Sequence, residues 1–390
     1  YLVLMLLIAV PALMAELSLA RHYRGATIKV LRLSFGGFGR FLGYLLVAGV
    51  GIAASYYMFV VANVFYSAGF SLFVGFSESA IPQYSKGLQT PLLQYGIGLL
   101  ILWSAILVIS VGLKSGVERI SKIFVPFFFG VCLYLVYFTL SQPGATEASL
   151  EFLKPDLSRI GFTEVFAALG QCFFSAGLGA AYIMVYGRYL QQDAPIGKIA
   201  SYTALSDLSA SLLASLFIVP SVLLFALPLD SGPHLLFDTL PRLFALMGGA
   251  RITASLFLVA LSLIAFLSVI ASINVVSLSL EEEPLGQRWS RNRLLFLIGA
   301  VETFLLIPPT WNPEIIGPLD LLFGSGTPVL GGLFAVLALA WRIGRNEALN
   351  QMFATSSPGT ASRLLFAWVQ WVIPAVLASI LIGTVFSALT

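Results

Sequence analysis

Charge is scarce in this chain. Only 10% of its 390 residues are Asp, Glu, Lys or Arg, against about 25% in an ordinary soluble domain. Histidine and cysteine are scarcer still, with two of each. Cys132 and Cys172 both lie in apolar runs, which makes neither a disulfide framework nor a zinc site. His22 and His234 are expected in loops on opposite faces, and no HExxH pattern is present. An enzyme therefore has no metal motif or nucleophile pair to work with. A net charge of +3 is too small to point to a nucleic-acid partner. What the sequence has in abundance is apolar surface, with 58% hydrophobic and 13% aromatic residues. Such a chain does not stay monomeric in water, so soluble and disordered classes drop out. The apolar runs are long and continuous, not alternating segments of about ten, which excludes a membrane β-barrel. The expectation is an all-α, polytopic helical membrane protein with a lipid bilayer as its solvent.

A membrane-spanning helix needs ~20 mostly apolar residues. Windows of that length give ten spans, at 1–20, 41–75, 92–112, 122–141, 163–190, 198–227, 250–280, 292–309, 317–342 and 364–388. No long polar linker divides them, so residues 1–390 read as one membrane domain. Assigning alternate loops to opposite sides puts 16 of the basic residues on one side, including Arg21, Arg32, Arg40, Lys114, Arg188 and Arg342. The other side receives 5, namely Lys86, Lys154, Arg159, Arg242 and Arg251. The 16-residue side is expected to be cytoplasmic, which places the protein in a cytoplasmic (inner) membrane. On this count the first visible span runs inward, and Tyr1 already stands inside an apolar run. An upstream span missing from this sequence is the simplest expectation. Trp289, Trp311 and Trp341 stand near span ends, as interfacial anchors do.

The span 163–190 is the one most interrupted. Its centre reads Gly170-Gln171-Cys172-Phe173-Phe174-Ser175-Ala176-Gly177-Leu178-Gly179-Ala180. That glycine density suits an unwound stretch whose freed backbone groups bind a ligand, or close packing between helices. Acids inside spans are expensive and so draw a functional reading. Glu16 stands five residues before Arg21, and an ion pair between them is expected. Glu302 has no evident partner. Asp207 lies among Ser206, Ser209 and Ser211. Asp320 in Pro318-Leu319-Asp320 gates access or caps its helix. Glu281-Glu282-Glu283 latches an inner gate or ends a span in solvent.

These segments resemble the neurotransmitter:sodium symporter family, with its bacterial, leucine-transporter-like fold. Pro11 to Glu16 followed by Arg21 is similar to the second family helix. Ser55-Tyr56-Tyr57 resembles the third, and Gly112 to Arg119 with Lys122 the loop between the fourth and fifth. Gly170 to Gly179 with Tyr189 resembles the broken sixth. Gly232-Pro233 with Phe237 to Pro241 resembles the external loop before the eighth helix, and Ser279 to Glu283 that helix's inner end. Leu319-Asp320 and Val329 to Gly332 resemble the tenth. The matches are collinear. They imply about ten helices in an inverted repeat with the broken first helix absent. Residues 1–141 would then be first-repeat helices, 163–342 the second repeat and 364–388 an additional helix.

Carried over residue by residue, the resemblance implies a substrate site of Ala53, Tyr57, Phe174, Ser175, Gly177, Ala180, Ser268 and Ser272. Tyr57 would bind the substrate carboxylate, and Phe174 would be the lid. Small residues at 53, 177, 180 and 272 imply a large or aromatic amino acid. Sodium would be held by Ser175, Ser206 and Ser268, although Leu267 stands where a threonine hydroxyl is usual. Asp320 with Gln171 would form the outer gate, Glu282 with Tyr189 the inner one. The family's chloride or carboxylate position falls on Ala210. Gln171, Ser175 and Ser206 are then left to line a chloride site, or Asp207 supplies a compensating, protonatable carboxylate. The implied function is sodium-coupled transport of an amino acid or related amine by alternating access. The alternatives are proton coupling through Asp207, or a degenerate, non-transporting amino-acid-binding or regulatory homologue.

Overall fold

The computed structural model describes residues 1–154, 158, 160–229, 232–247, 250–284, 286–354 and 359–389. Arg159 lies outside them, as does the side chain of Lys114. The described secondary structure is helical throughout. The elements are α1 (Leu2–Tyr23), α2 (Thr27–Phe73), the short α3 (Ile81–Leu88), α4 (Pro91–Val111), α5 (Gly116–Leu140) and α6 (Ala145–Leu153). There follow α7 (Phe162–Ser175), α8 (Tyr182–Gly187), α9 (Ile196–Leu224), α10 (Leu240–Leu246) and α11 (Ala250–Glu281). The last four are α12 (Arg291–Trp311), α13 (Pro313–Arg342), α14 (Arg345–Phe353) and α15 (Thr360–Thr384). Nine of these are long and apolar enough to span a membrane, counted among the described residues.

The tenth expected span is divided. Helix α7 stops at Ser175 and α8 starts at Tyr182, with turns between them. Gly177, Gly179 and Ala181 all take positive φ there. Two of the three are glycines, for which that conformation is free of a Cβ penalty. The second expected span, 41–75, turns out to begin earlier. Helix α2 is a kinked pair whose two parts meet at Gly36 (φ 64°, ψ −137°). The polar residues Lys29 and Arg32 precede that kink, which is why an apolar window misses the first part.

Two apolar cores meet at the break. One joins α1, α9, α13, α14 and α15 and includes Cys172, Phe173, Ala176, Leu178 and Met184. The other joins α2, α4, α11 and α12 and includes Ala181 and Val185. The broken segment is thus the seam between two packed bodies. The most extensive helix contact is α11 against α2, inside the second body. A third cluster closes one end through α5, α9, α10 and α11.

Cations far apart in sequence gather at the other end. Glu283, two residues past the end of α11, is buried and takes Arg40 at 2.8 Å, Arg32 at 3.5 Å and a hydrogen bond from Tyr44 at 2.9 Å. Arg342 Nε donates to the Ser34 carbonyl at 2.9 Å. Their convergence at one end agrees with the side inferred from the loop count. Neither histidine lies in a loop as expected: His234 is helical, and His22 sits in the last turn of α1, 3.2 Å from Glu347, because the helix runs past the end of its apolar window.

Candidate functional site

One cavity of about 450 Å³ opens at the seam. Its wall from α2 carries Ala53, Tyr56 and Tyr57. The break contributes Phe174, Ser175, Gly177 and Ala180, with Tyr182 from α8. Helix α11 adds Ser268 and Ser272, and α13 adds Asp320 and Phe323. All eight residues expected of a substrate site therefore line a single cavity. Non-helical backbone at membrane depth is tolerated only where it lines such a space or is buried in protein.

The break is held from two sides. Glu16 Oε2 of α1, fully buried, accepts a hydrogen bond from the Gly179 amide at 3.0 Å. Gly179 also presses on α13, where a Cβ would collide with the Pro328 carbonyl and the Gly332 amide. The expected Glu16–Arg21 ion pair does not form. Five residues along a helix put the two side chains on different faces. Arg21 Nε goes instead to Gln351 Oε1 at 3.0 Å, and another of its nitrogens to the Ala194 carbonyl at 2.9 Å.

The polar pairs at and beside the cavity are specific. Ser175 Oγ donates to Asp207 Oδ2 at 2.9 Å, and the Tyr1 hydroxyl donates to the same oxygen at 3.0 Å. Ser206, the expected ion ligand, is exposed instead, one residue out of register with that contact. Ser272 Oγ and the Tyr182 hydroxyl lie 2.8 Å apart. Tyr56 donates to Asp320 Oδ1 at 3.0 Å. Asp320 therefore binds α2 and is not a helix cap, while Gln171 is exposed and outside that pair. Leu267 packs into the α2–α4–α11–α12 core and offers no oxygen. Glu302 is buried against Gly51 of α2, and its Oε2 has no hydrogen-bond partner among the described residues.

The three acids 281–283 diverge. Glu281 accepts from Ser277 at 3.0 Å and lies 3.8 Å from Arg291. Glu282 Oε1 accepts from Arg188 at 3.0 Å, while its Oε2 takes the Ala26 amide at 2.8 Å. Arg188 also donates to the Tyr189 hydroxyl at 2.6 Å. The inner-gate pair of the sequence reading, Glu282 and Tyr189, is therefore joined through an arginine that counted there only as a loop cation. No cluster of three or more His, Cys, Asp or Glu suited to a bound metal occurs among the described residues.

Residues 74–389, most of the chain, match the model of the sodium:neurotransmitter symporter family. The chain belongs to that family. Among similar proteins, an uncharacterized sodium-dependent transporter of Haemophilus influenzae is 25% identical over 411 aligned positions, covering 98% of this chain and 88% of that protein. An uncharacterized sodium-dependent transporter of Bacillus subtilis is 26% identical over 75% of this chain and 66% of its own length. The human sodium- and chloride-dependent creatine transporter 1 is 31% identical over a shorter stretch, 47% of this chain and 31% of that protein. In fold the chain is similar to the crystal structure of MhsT in complex with L-phenylalanine, with a TM-score of 0.86, 22% identity, and 98% and 91% of the two chains covered. The fold and family are those of secondary membrane transporters, not enzymes.

Tyr56, Tyr182 and Arg188 were missed in the sequence as partners of site residues. Tyr56 adjoins Tyr57 in the quoted motif, and Tyr182 follows the glycines by three residues. For Arg188 the only signal is its place beside Tyr189.

Proposed function

We propose that this protein moves an amino acid or related amine inward across the cytoplasmic (inner) membrane, coupled to sodium. The observation that carries the reading is the cavity at the break, where residues of 174–180 meet Tyr57, Ser268 and Ser272. Such a site, between two packed bodies, is where rocking of one body exposes a ligand to either side in turn. Tyr57 is assigned to the substrate carboxylate and Phe174 to the lid. The small lining residues Ala53, Gly177, Ala180 and Ser272 leave room for a large or aromatic side chain.

Sodium is a hard cation that prefers oxygen ligands. We assign one ion to Ser175 with Asp207, in place of the expected Ser206, on the strength of their 2.9 Å contact. Ser268 offers one hydroxyl toward a second ion, but Leu267 offers none. The Asp207 carboxylate brings fixed negative charge beside the first site, so transport is expected to proceed without chloride. Equilibrium binding of radiolabelled phenylalanine to the purified full chain tests the reading. Binding should require sodium, persist when gluconate replaces chloride, and be displaced by aromatic and large aliphatic amino acids. Sodium-independent binding, or displacement by glycine and alanine alone, would overturn it.

A further inference from the structure

We infer that the cavity selects an aromatic amino acid whose ring ends in a hydrogen-bond donor, as the phenol of tyrosine does, over phenylalanine, and that the Tyr182–Ser272 pair reads that donor. The inference rests on the transport reading above and names the substrate class of the same site.

A count of protons carries it. The Ser272 hydroxyl has one hydrogen, and it donates to the Ser268 carbonyl at 2.9 Å. The 2.8 Å contact with Tyr182 then has a single direction: the phenol donates and Ser272 Oγ accepts. Both hydrogens are used within the wall of the cavity. What the pair offers a ligand is a lone pair on the Tyr182 oxygen, to which no side chain donates among the described residues. The next tyrosine on α8 differs in this property. Asn274 Nδ2 already donates to the Tyr186 hydroxyl at 3.3 Å, and Tyr186 is not among the residues lining the cavity. Other hydroxyls of the wall also spend their protons within the protein. Ser175 donates to Asp207, and Tyr56 to Asp320.

The pair stands where a substrate side chain has room. Helix α2 leaves the arginine-rich end and α11 returns to it, since Arg40 near the start of one meets Glu283 just past the end of the other. Ala53 therefore lies one turn closer to that end than Tyr57, and Ser272 one turn closer than Ser268. With the carboxylate at Tyr57, the space left by Ala53, Ala180 and Ser272 extends toward Tyr182. The surrounding wall is apolar, with Val50, Ala54 and Ala271, and suits a ring. The acceptor at its end is neutral, which suits a phenol. A side-chain ammonium placed there would give up its water without an ion pair. A bare phenyl ring gains no bond, and an acceptor-only group meets a lone pair.

The test is displacement of radiolabelled phenylalanine from the purified full chain in saturating sodium. Tyrosine and 4-aminophenylalanine should each bind about three- to tenfold more tightly than phenylalanine, the range of a neutral hydrogen bond. The ring fluorine of 4-fluorophenylalanine occupies the place of the phenol oxygen but donates nothing, and this ligand should bind no better than phenylalanine. Y182F removes the acceptor and should bring tyrosine to within about twofold of phenylalanine, a difference below that of one hydrogen bond. S272A has the opposite chemistry, because it frees the Tyr182 proton for the cavity. In S272A, and not in the parent, the acceptor 4-cyanophenylalanine should bind more tightly than its linear isostere 4-ethynylphenylalanine. The ligand series on the parent decides the matter even where a variant fails to fold. Equal binding of tyrosine and phenylalanine, equal binding of tyrosine and 4-fluorophenylalanine, or a tyrosine preference intact in Y182F would overturn the assignment. Binding of neither tyrosine nor phenylalanine, or binding of both without sodium, would instead overturn the transport reading beneath it.

Discussion

Glu16 and Gly179 are 163 positions apart, yet the buried Glu16 carboxylate accepts the Gly179 amide at 3.0 Å. The bond satisfies a backbone donor that the interrupted helix cannot. It also ties α1 to the break. An unsatisfied buried donor costs about 1–3 kcal/mol. Glu16→Leu should therefore lower stability by about that amount and abolish sodium-dependent binding. Glu16→Gln keeps an acceptor oxygen and should recover most of the stability. Thermal unfolding in detergent, followed by tryptophan fluorescence, compares the two.

Gly179 and Ala181 both adopt left-handed backbone, with φ of 71° and 67°. They should respond to substitution in opposite directions. Gly179→Ala adds a Cβ where Pro328 and Gly332 already stand, and binding should be lost. Ala181→Gly removes a left-handed alanine, a conformation that costs roughly 1–2 kcal/mol. It should leave the protein as stable as the parent or more so. Melting temperatures of the two variants check the contrast.

Pocket volume should set substrate size. Ala53→Leu and Ser272→Leu each fill space in the cavity of about 450 Å³. Displacement assays should then show weakened binding of phenylalanine and tryptophan with alanine affected least. Equal weakening of all three would mean that the small residues do not select size.

Asp207 should control the ion and not the substrate alone. Asp207→Asn keeps an acceptor for Ser175 but removes the charge. The sodium concentration for half-maximal binding should rise by about tenfold, as expected for a change of about 1.4 kcal/mol. Ser175→Ala should act in the same direction. Sodium titrations of phenylalanine binding measure both.

Much of this architecture was legible in the sequence, for definite physical reasons. Long apolar runs have few ways to satisfy their backbone except as helices, so the spans stood out. The break announced itself because Gly177 and Gly179 are poor helix formers, and both take left-handed backbone there. The residues taken from the family pattern fall on one cavity because that pattern tracks one site. Other features were hidden. Ser206 and Asp207 sit in an apolar helix with serines on several sides, and no periodicity marks which one faces Ser175. The partner of Glu16 is a backbone amide, which sequence does not label. Arg188 has the same composition as a loop cation, and only the approach of α11 gives it Glu282. The kink at Gly36 was missed because polar residues before it broke the apolar window.

Uptake of radiolabelled phenylalanine into proteoliposomes holding the purified protein bears most directly on the central claim. An inward sodium gradient should drive accumulation above the equilibrium level, and dissipating that gradient should release the excess. Binding without accumulation under the same gradient would contradict a coupled transporter and favour a non-transporting binding homologue.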